Sequence, residues 1–373
     1  MKRHFYSVCT LAMLALCGCS SDDQPEIEIE SQEWIDPVFA KVLQDRGYIA
    51  DAKTVTPEDV ATLSEVNVSF YDNKGPITSV KGIDKFTSLE DFNCVNNNIE
   101  ELDLTKNSKL KLLNCESNNI QKLLPPKNTE LESIVCNFNE LRNLDVSSNP
   151  NLQYLHCIDN HITDIDLTKN LEIRDVNFSG NDLKFLDISK NLELISLDCV
   201  NNDLDIIDVS KNVKLRALNC CDNNFVSLDL SKNPELDFLY CAGNQLTSVD
   251  VSNCPKLEFF WCRYNQLTEL DLTHNPHLKS LDMWNNHVSS LGLSNCTELD
   301  RLVILDNNFK SLDLSNIKKK MADQFIIQGN PGENGKFVII EPFDADGQPI
   351  NVPERTEWDY DSGRVVVEYV KAN

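Results

Sequence analysis

The sequence predicts an α/β repeat fold, a solenoid built from many copies of one short strand-containing unit. The chain has a 21-residue period from residue 89 onward, without insertion or deletion. The eleven units begin with an aliphatic residue, at Leu89, Leu110, Leu131, Leu152, Ile173, Leu194, Leu215, Leu236, Leu257, Leu278 and Leu299. An asparagine stands at the ninth position of each unit, at Asn97, Asn118, Asn139, Asn160, Asn181, Asn202, Asn223, Asn244, Asn265, Asn286 and Asn307. This period and pattern are typical of a leucine-rich-repeat solenoid.

One unit, with its residues numbered as positions 1 to 21, explains the fold. Apolar residues fill positions 1, 4, 6, 11, 14 and 16 of the unit that begins at Leu257. Positions 4 and 6 alternate with outward-facing positions, which predicts a short strand. Positions 11, 14 and 16 leave room only for an extended or 3₁₀ return segment. Because the apolar side of each unit can be covered only by its neighbours, we expect parallel strands stacked about 4.8 Å apart.

Two columns of asparagine are predicted to be structural. The asparagines at position 9 stand where the chain bends sharply after the strand. A side-chain amide can both donate to and accept from the backbone groups that such a bend buries. The second column occupies position 19 on the other edge of the coil, at Asn107, Asn128, Asn149, Asn170, Asn191, Asn212, Asn233 and Asn275.

Position 6, which is normally leucine in such repeats, is mostly cysteine here. The column reads Cys94, Cys115, Cys136, Cys157, Phe178, Cys199, Cys220, Cys241, Cys262, Met283 and Ile304. These side chains all point the same way into a packed core. Disulfides would strain every strand, and metal ligands must converge from different directions. We therefore predict buried free thiols that act as small hydrophobic side chains.

The 21-residue period with cysteine at the core position resembles the internalin J-like, cysteine-ladder leucine-rich-repeat proteins of bacterial surfaces. The resemblance covers about residues 67 to 317. It implies a curved solenoid with an adhesive or protein-binding role. The chain departs from that pattern in its anchor, because its tail carries no wall-sorting motif.

Residues 1–18 are predicted to be a lipoprotein signal peptide, with Cys19 as the lipidated residue. Lys2 and Arg3 precede an apolar run that ends in Leu16-Cys17-Gly18-Cys19, which resembles a bacterial lipobox. The run is too short to span a membrane. An ordinary secretory peptide is the alternative.

Acyl chains on Cys19 would hold the mature chain at a membrane surface, so the membrane is contacted through this lipid only. Residues 19–33 are polar and acidic and are predicted to be a tether. Their first residues resemble an acidic export signal. We therefore predict an outer membrane lipoprotein that is exposed at the cell surface, with a periplasmic position as the alternative.

A solenoid must cover the open ends of its core. Residues 34–66 are predicted to be a helical N-terminal cap, because apolar residues recur at helical spacing and Thr56-Pro57 suits a helix start. Residues 67–317 are assigned to the leucine-rich repeats, including a partial first turn. Residues 318–373 are predicted to be a β C-terminal cap, since its segments from 337 to 340 and from 365 to 370 have strand composition.

The charge balance excludes one class of partner. The chain has 59 acidic and 34 basic residues and a formal net charge of −25. Nucleic acid is not expected as a partner, because phosphate binding requires clustered Lys and Arg. Much of the acid is an aspartate at position 15 of most units, which is typical of a solvated convex surface. Calcium binding by this column is the alternative, and neither a metal site nor a cofactor is predicted.

Positions 3, 5, 7 and 8 face outward from the strands and form the concave face of the solenoid. Most of them carry small or polar residues, but the eighth to tenth units differ. The predicted binding residues there are Phe238, Tyr240, Phe259, Trp261, Arg263, Tyr264 and Trp284. Contiguous exposed aromatic residues usually mark interaction sites, and Trp, Tyr and Arg dominate binding hot spots. The alternative is that the C-terminal cap or a loop covers these residues.

No catalytic residues are predicted, and the chain is interpreted as a non-enzyme. Its histidines have no evident nucleophile and acid beside them, and no Gly-rich phosphate loop occurs. The predicted function is binding of a protein or peptide through the concave face, in adhesion or interaction. The alternative is a glycan-binding surface lipoprotein for nutrient capture, because flat aromatic rings also stack on sugars.

Overall fold

The computed structural model describes residues 33–71, 73–317, 319–321, 323–360 and 363–372. The predicted signal peptide, the lipidation site Cys19 and all but the last residue of the predicted tether lie outside these residues. None of the described helices is long and apolar enough to cross a membrane.

Two short helices precede the sheet. Helix α1 (Pro37–Asp45) begins after Asp36, whose carboxylate accepts from the backbone N–H groups of Val38 and Phe39, both at 2.9 Å. Helix α2 (Pro57–Ala61) begins after Thr56, as the sequence predicted. The ring of Phe39 packs against Phe86, with centroids 5.9 Å apart, so the helical segment covers the first turn of the core.

Nineteen strands lie within the described residues. In chain order they are β1 (Glu65–Asn67), β2 (Asp91–Asn93), β3 (Glu101–Asp103), β4 (Leu112–Asn114), β5 (Lys122–Leu124), β6 (Ser133–Val135), β7 (Tyr154–His156), β8 (Asp175–Asn177), β9 (Ser196–Asp198), β10 (Ala217–Asn219), β11 (Phe238–Tyr240), β12 (Phe259–Trp261), β13 (Ser280–Asp282), β14 (Arg301–Val303), β15 (Ser311–Asp313), β16 (Phe325–Ile326), β17 (Lys336–Glu341), β18 (Glu357–Tyr360) and β19 (Gly363–Lys371). Thirteen of them form one sheet, in the order β1-β2-β4-β6-β7-β8-β9-β10-β11-β12-β13-β14-β16.

Neighbouring strands of this sheet are parallel and in register with the sequence repeat. Leu218, for example, lies between Leu197 and Leu239, each one period away. On the return side of the coil, β3 pairs with β5. Within the described residues, the one 3₁₀ helix is Ile83–Lys85 in the first coil. The predicted leucine-rich-repeat solenoid is therefore confirmed.

Cysteine side chains fill the core as free thiols, as predicted. All eleven cysteines within the described residues are free, and those at position 6 are buried. Cys136 donates a hydrogen bond to Cys157 with their sulfur atoms 3.2 Å apart, and the two residues form no disulfide. Burial raises the pKa of the ladder thiols Cys94 and Cys262. Protonated buried thiols are poor nucleophiles, so this column packs the core.

The sheet continues one coil further than the 21-residue period predicted. Strand β16 pairs with β14, and Asn330 takes the place of the position-9 asparagine. Its amide nitrogen donates to the carbonyl of Ile327 at 2.7 Å, and its oxygen accepts from the N–H of Phe309 at 3.0 Å. The step from Asn307 to Asn330 is longer than the regular period by two positions, which hides Asn330 from a strict repeat. A second sheet, β15-β17-β19-β18, then closes this end.

Candidate functional site

Strands β11 and β12 place four of the predicted aromatic residues on one surface. Their central residues, Leu239 and Phe260, are completely buried in the core. Because side chains alternate along a strand, the residues on either side point to the concave face. All four of these residues are half-buried; they are Phe238, Tyr240, Phe259 and Trp261.

The rings form two stacks along the sheet. Phe238 lies against Phe259 with centroids 4.8 Å apart and planes 1° apart. Tyr240 lies against Trp261 with centroids 4.4 Å apart and planes 19° apart. The register pairs these residues across adjacent strands, whose spacing matches the stacking distance. The ring faces are therefore turned toward each other, and the ring edges are turned toward the concave surface.

Arg301 belongs to this surface, although the sequence did not single it out. Its guanidinium carbon lies 5.7 Å from the ring centroid of Trp261 and approaches from the opposite side of β12 to Tyr240. The same group donates to the buried carboxylate of Asp282 at 3.2 Å and to Gln324 at 3.0 Å. The sequence does place Arg301 at position 3 of the eleventh unit, and position 3 faces the concave side. Because Arg301 lies two units after Trp261, the repeat pattern did not indicate that the two side chains make contact.

Tyr264 and Trp284 extend the surface along its edge. Their ring centroids lie 4.7 Å apart at an angle of 50°. The indole N–H of Trp284 donates to the carboxylate of Asp306 at 2.9 Å, and Tyr264 is 40% exposed. Arg263 lies beside them and is half-buried. Burial raises the pKa of Asp222, and the positive charge of Arg263 opposes that shift.

Residues at position 8 of the repeat adopt a left-handed backbone conformation. The non-glycine residues recorded there include Asn96, Asp222 and Asn285, with φ of 59°, 54° and 55°. Asn, Asp and Gly adopt this conformation at low cost, whereas bulky residues rarely do. Tyr264 and Phe138, both with φ of 55°, are the aromatic exceptions. Both are also exposed, at 40% and 46%.

The patch, named here as the concave aromatic patch, therefore consists of the seven predicted residues together with Arg301. Contacts join the four strand residues and Arg301 in one group, and Tyr264 and Trp284 form a second group. Phe138 and Tyr154 lie on the same face in the third and fourth units, with Tyr154 44% exposed, and are not part of the patch.

Histidine side chains lie outside this patch. His156 contacts Asp175 at 3.1 Å, and His161 contacts Glu140 at 3.2 Å. Within the part of the chain that the structure describes, no group of three or more His, Cys, Asp or Glu residues is arranged to hold a metal ion.

Comparison with known proteins agrees with this architecture. The sequence profile described as Leucine Rich repeats (2 copies) matches residues 234–274. The chain is similar to the functional domain of InlJ from Listeria monocytogenes, which includes a cysteine ladder, with 29% sequence identity and a TM-score of 0.70 over 83% of this chain and 76% of that chain. It shares the fold with a leucine-rich-repeat protein of Leptospira interrogans, at 22% identity and a TM-score of 0.61 over 68% and 70% of the two chains. No curated protein matches the chain.

These likenesses confirm the predicted resemblance to a cysteine-ladder internalin. Leucine-rich-repeat solenoids are typically protein-interaction domains, and they are typically not enzymes.

Proposed function

We propose that this chain recognises a protein or peptide through the concave aromatic patch. The observation that carries the proposal is the environment of Trp261, whose ring stacks on Tyr240 on one side and lies under Arg301 on the other. Aromatic residues and arginine packed in this way are the usual centre of a protein-binding hot spot. The ring edges form the contact surface, and the buried side chains of Ser280 and Asp282 accept hydrogen bonds from Trp261 and Arg301 beneath it.

The ring geometry favours a protein over a glycan. Sugars bind aromatic side chains by lying flat on an open ring face. In the two stacks, one face of each ring is covered by its partner ring, and Arg301 lies over the second face of Trp261. An apolar side chain of a partner protein can instead pack against ring edges, which prefer edge-to-face contact with further aromatic rings.

The backbone at Tyr264 supports the same proposal. A non-glycine residue in the left-handed region costs on the order of 1 kcal/mol, and Asn is tolerated best among them. Replacing Tyr264 with Asn should therefore leave the free energy of unfolding unchanged or raise it by up to about 1 kcal/mol, while weakening ligand binding. Urea unfolding and a binding titration on the same variant check the two effects. A variant that loses stability and retains binding would show that the tyrosine serves the fold.

Two parallel screens test the ligand class. A displayed peptide library and a glycan array are each presented with the chain and with the Tyr264→Asn variant. We expect peptides whose binding is lost in the variant, and no glycan with the same dependence. Glycan binding that the variant abolishes, without any such peptide, would overturn the protein proposal in favour of nutrient capture.

We also propose that the chain is a lipoprotein exposed on the outer membrane. The basis is the lipobox-like Leu16-Cys17-Gly18-Cys19 after an apolar run. Replacing Cys19 with Ala should move the protein from the membrane fraction to the soluble fraction, because the acyl chains provide the only predicted membrane contact. Cys17→Ser is the matched control and should stay with membranes. Membrane retention of Cys19→Ala would refute lipidation, and resistance of the wild type to protease added to intact cells would refute surface exposure.

A further inference from the structure

The concave face is acidic on the N-terminal side of the concave aromatic patch. Positions 3, 5, 7 and 8 of the first seven units hold no Lys or Arg and one histidine, His156. The same positions hold six carboxylates, at Asp91, Glu116, Asp159, Asp175, Asp198 and Asp222. In the eighth to eleventh units these positions hold Arg263 and Arg301 together with two aspartates. The face is therefore negative over seven units and balanced in charge at the patch.

The flanks of the face do not supply the missing cations. Position 2 of the first eight units is balanced, with three cations and three acids; these residues are Lys111, Arg174, Arg216, Glu90, Glu132 and Asp237. Lys111 pairs with Glu90 at 2.8 Å, and Arg216 pairs with Asp237. On the other side, position 10 of the first seven units holds no Lys or Arg, one histidine and three acids; these residues are His161, Glu140, Asp182 and Asp203.

The six concave carboxylates have few partners of opposite charge. Within the described residues, their one ion pair joins Asp175 to His156 at 3.1 Å. Burial raises the pKa of Asp91, Asp159 and Asp222, and the positive charge of Arg263 opposes this shift at Asp222. The protein thus partly desolvates these carboxylates without placing a cation against them. A cation bound beside them would favour their charged form.

Small side chains lie between the carboxylates and the ring stacks. Ser196 and Ala217 occupy position 3 in the two units before Phe238, and the register makes all three neighbours in one row. Because serine and alanine are much shorter than phenylalanine, the concave surface steps down where the ring stack ends. The step forms a shallow trough beside the patch, and Asp198 and Asp222 belong to the same two units as its floor.

We propose that the ligand of the concave aromatic patch is a basic peptide segment, in which Lys or Arg flanks an apolar anchor; this rests on the proposed function, because it concerns the same patch. The anchor packs against the ring edges, and the cations lie over the trough beside the carboxylates. With strands about 4.8 Å apart, Asp198 lies about 10 Å from β11 and Asp159 about 19 Å. An extended segment that runs across the strands rises about 3.3 Å per residue, so its cations lie roughly three to six residues from the anchor.

Two displayed peptide libraries test the charge of the ligand. Both libraries fix one Trp as the anchor and randomise the remaining positions. One library has only Lys or Arg at roughly three to six residues on either side of the Trp, and the other has only Asp or Glu there. We expect the wild-type chain to select peptides from the basic library and none from the acidic library. Binding of the selected peptides should be lost in Trp261→Ala.

Neutralising carboxylates in place tests which residues select the charge. The combined variant Asp159→Asn, Asp198→Asn and Asp222→Asn keeps side-chain size, and the chain itself has Asn201 at position 8 and Asn177 at position 5. Circular dichroism should therefore show a folded protein. Affinity for a peptide from the basic library should fall about twofold for each exposed ion pair lost, and so about tenfold in total. Most of the loss should appear in the association rate.

The matched control changes the net charge equally at position 15 of the repeat. It combines substitutions to Asn at three exposed residues, Asp166, Asp208 and Asp229. At about 0.1 M salt its affinity should stay within about twofold of the wild type, because charges more than about 10 Å away are screened. Raising the salt to about 1 M shortens that range to about 3 Å and should bring the wild type and the concave variant together.

The outcomes separate the charge of the ligand from the existence of the site. Equal selection from both libraries would overturn the basic ligand and leave the proposed function standing. The same holds if the concave variant binds like the wild type while Trp261→Ala does not bind, or if the position-15 control loses as much affinity as the concave variant. The absence of any peptide whose binding depends on Trp261 would overturn the proposed function and the basic ligand together.

Discussion

Replacing Trp261 with Ala is expected to weaken binding of a peptide selected on the concave face by about 30-fold or more, since truncation of a hot-spot side chain costs at least about 2 kcal/mol. The ring supplies more than its own contact. Its removal takes away the ring that stacks on Tyr240 and that lies under the guanidinium group of Arg301. Its N–H also donates to the hydroxyl of Ser280 at 3.3 Å. Isothermal titration of wild type and variant measures the ratio of dissociation constants.

The fold should survive this change. Trp261 is half-buried and lies outside the core column, so the expected loss of stability is about 1–2 kcal/mol from its ring and cation contacts. Tyr154→Ala is the matched control, because Tyr154 occupies position 3 on the same face and is 44% exposed, five units away. Binding that is insensitive to Trp261→Ala but lost in Tyr154→Ala would move the site toward the N-terminal half.

The repeat itself could be predicted from sequence because one physical constraint acts eleven times. Each unit must bury the same positions against its neighbours, so leucine, cysteine and asparagine recur at fixed spacing. Asn330 shows where this reasoning stops. It makes the same kind of hydrogen bonds as the other position-9 asparagines, but its longer step from Asn307 breaks the period. The turn at Asn330 is held by the same kind of hydrogen bonds as the earlier turns, but two additional residues separate it from the turn at Asn307.

The membership of the concave aromatic patch was also predictable, but its ring orientations were not. Alternation along β11 and β12 determines which side chains face outward, and register determines which of them are neighbours. Whether the faces of Phe238 and Phe259 stay open or close on each other depends on side-chain torsions, which the pattern does not specify. Arg301 was missed for the same reason, since a long side chain reaches two strands away from its own position.

The largest effect on stability is expected at the position-9 asparagines, and Asn202 is a representative. Its amide nitrogen donates to the carbonyl oxygens of Phe178, Cys199 and Val200 at 2.9, 3.2 and 3.2 Å, and its oxygen accepts from the N–H of Leu183 at 3.0 Å. Asn202→Ala leaves the buried N–H of Leu183 without its acceptor, at about 1–3 kcal/mol. The three carbonyls keep a second donor each, from Asn181, Asn223 and the N–H of Gly180, so each loses one hydrogen bond of about 0.5–1.5 kcal/mol. We expect the free energy of unfolding in urea to fall by about 3–5 kcal/mol.

Two further variants separate hydrogen bonding from volume. Asn202→Leu restores the side-chain volume and adds apolar surface, but it provides neither donor nor acceptor, so it should be destabilised as severely as Asn202→Ala. Asn224→Ala changes an exposed asparagine at position 10 of the next unit and should cost less than about 0.5 kcal/mol. Recovery of stability in Asn202→Leu would show that the position-9 asparagines stabilise the fold through their volume and not through their hydrogen bonds. Because each unit is stabilised mainly by its neighbours, a severe local loss at Asn202 should also reduce the cooperativity of unfolding across the adjoining units.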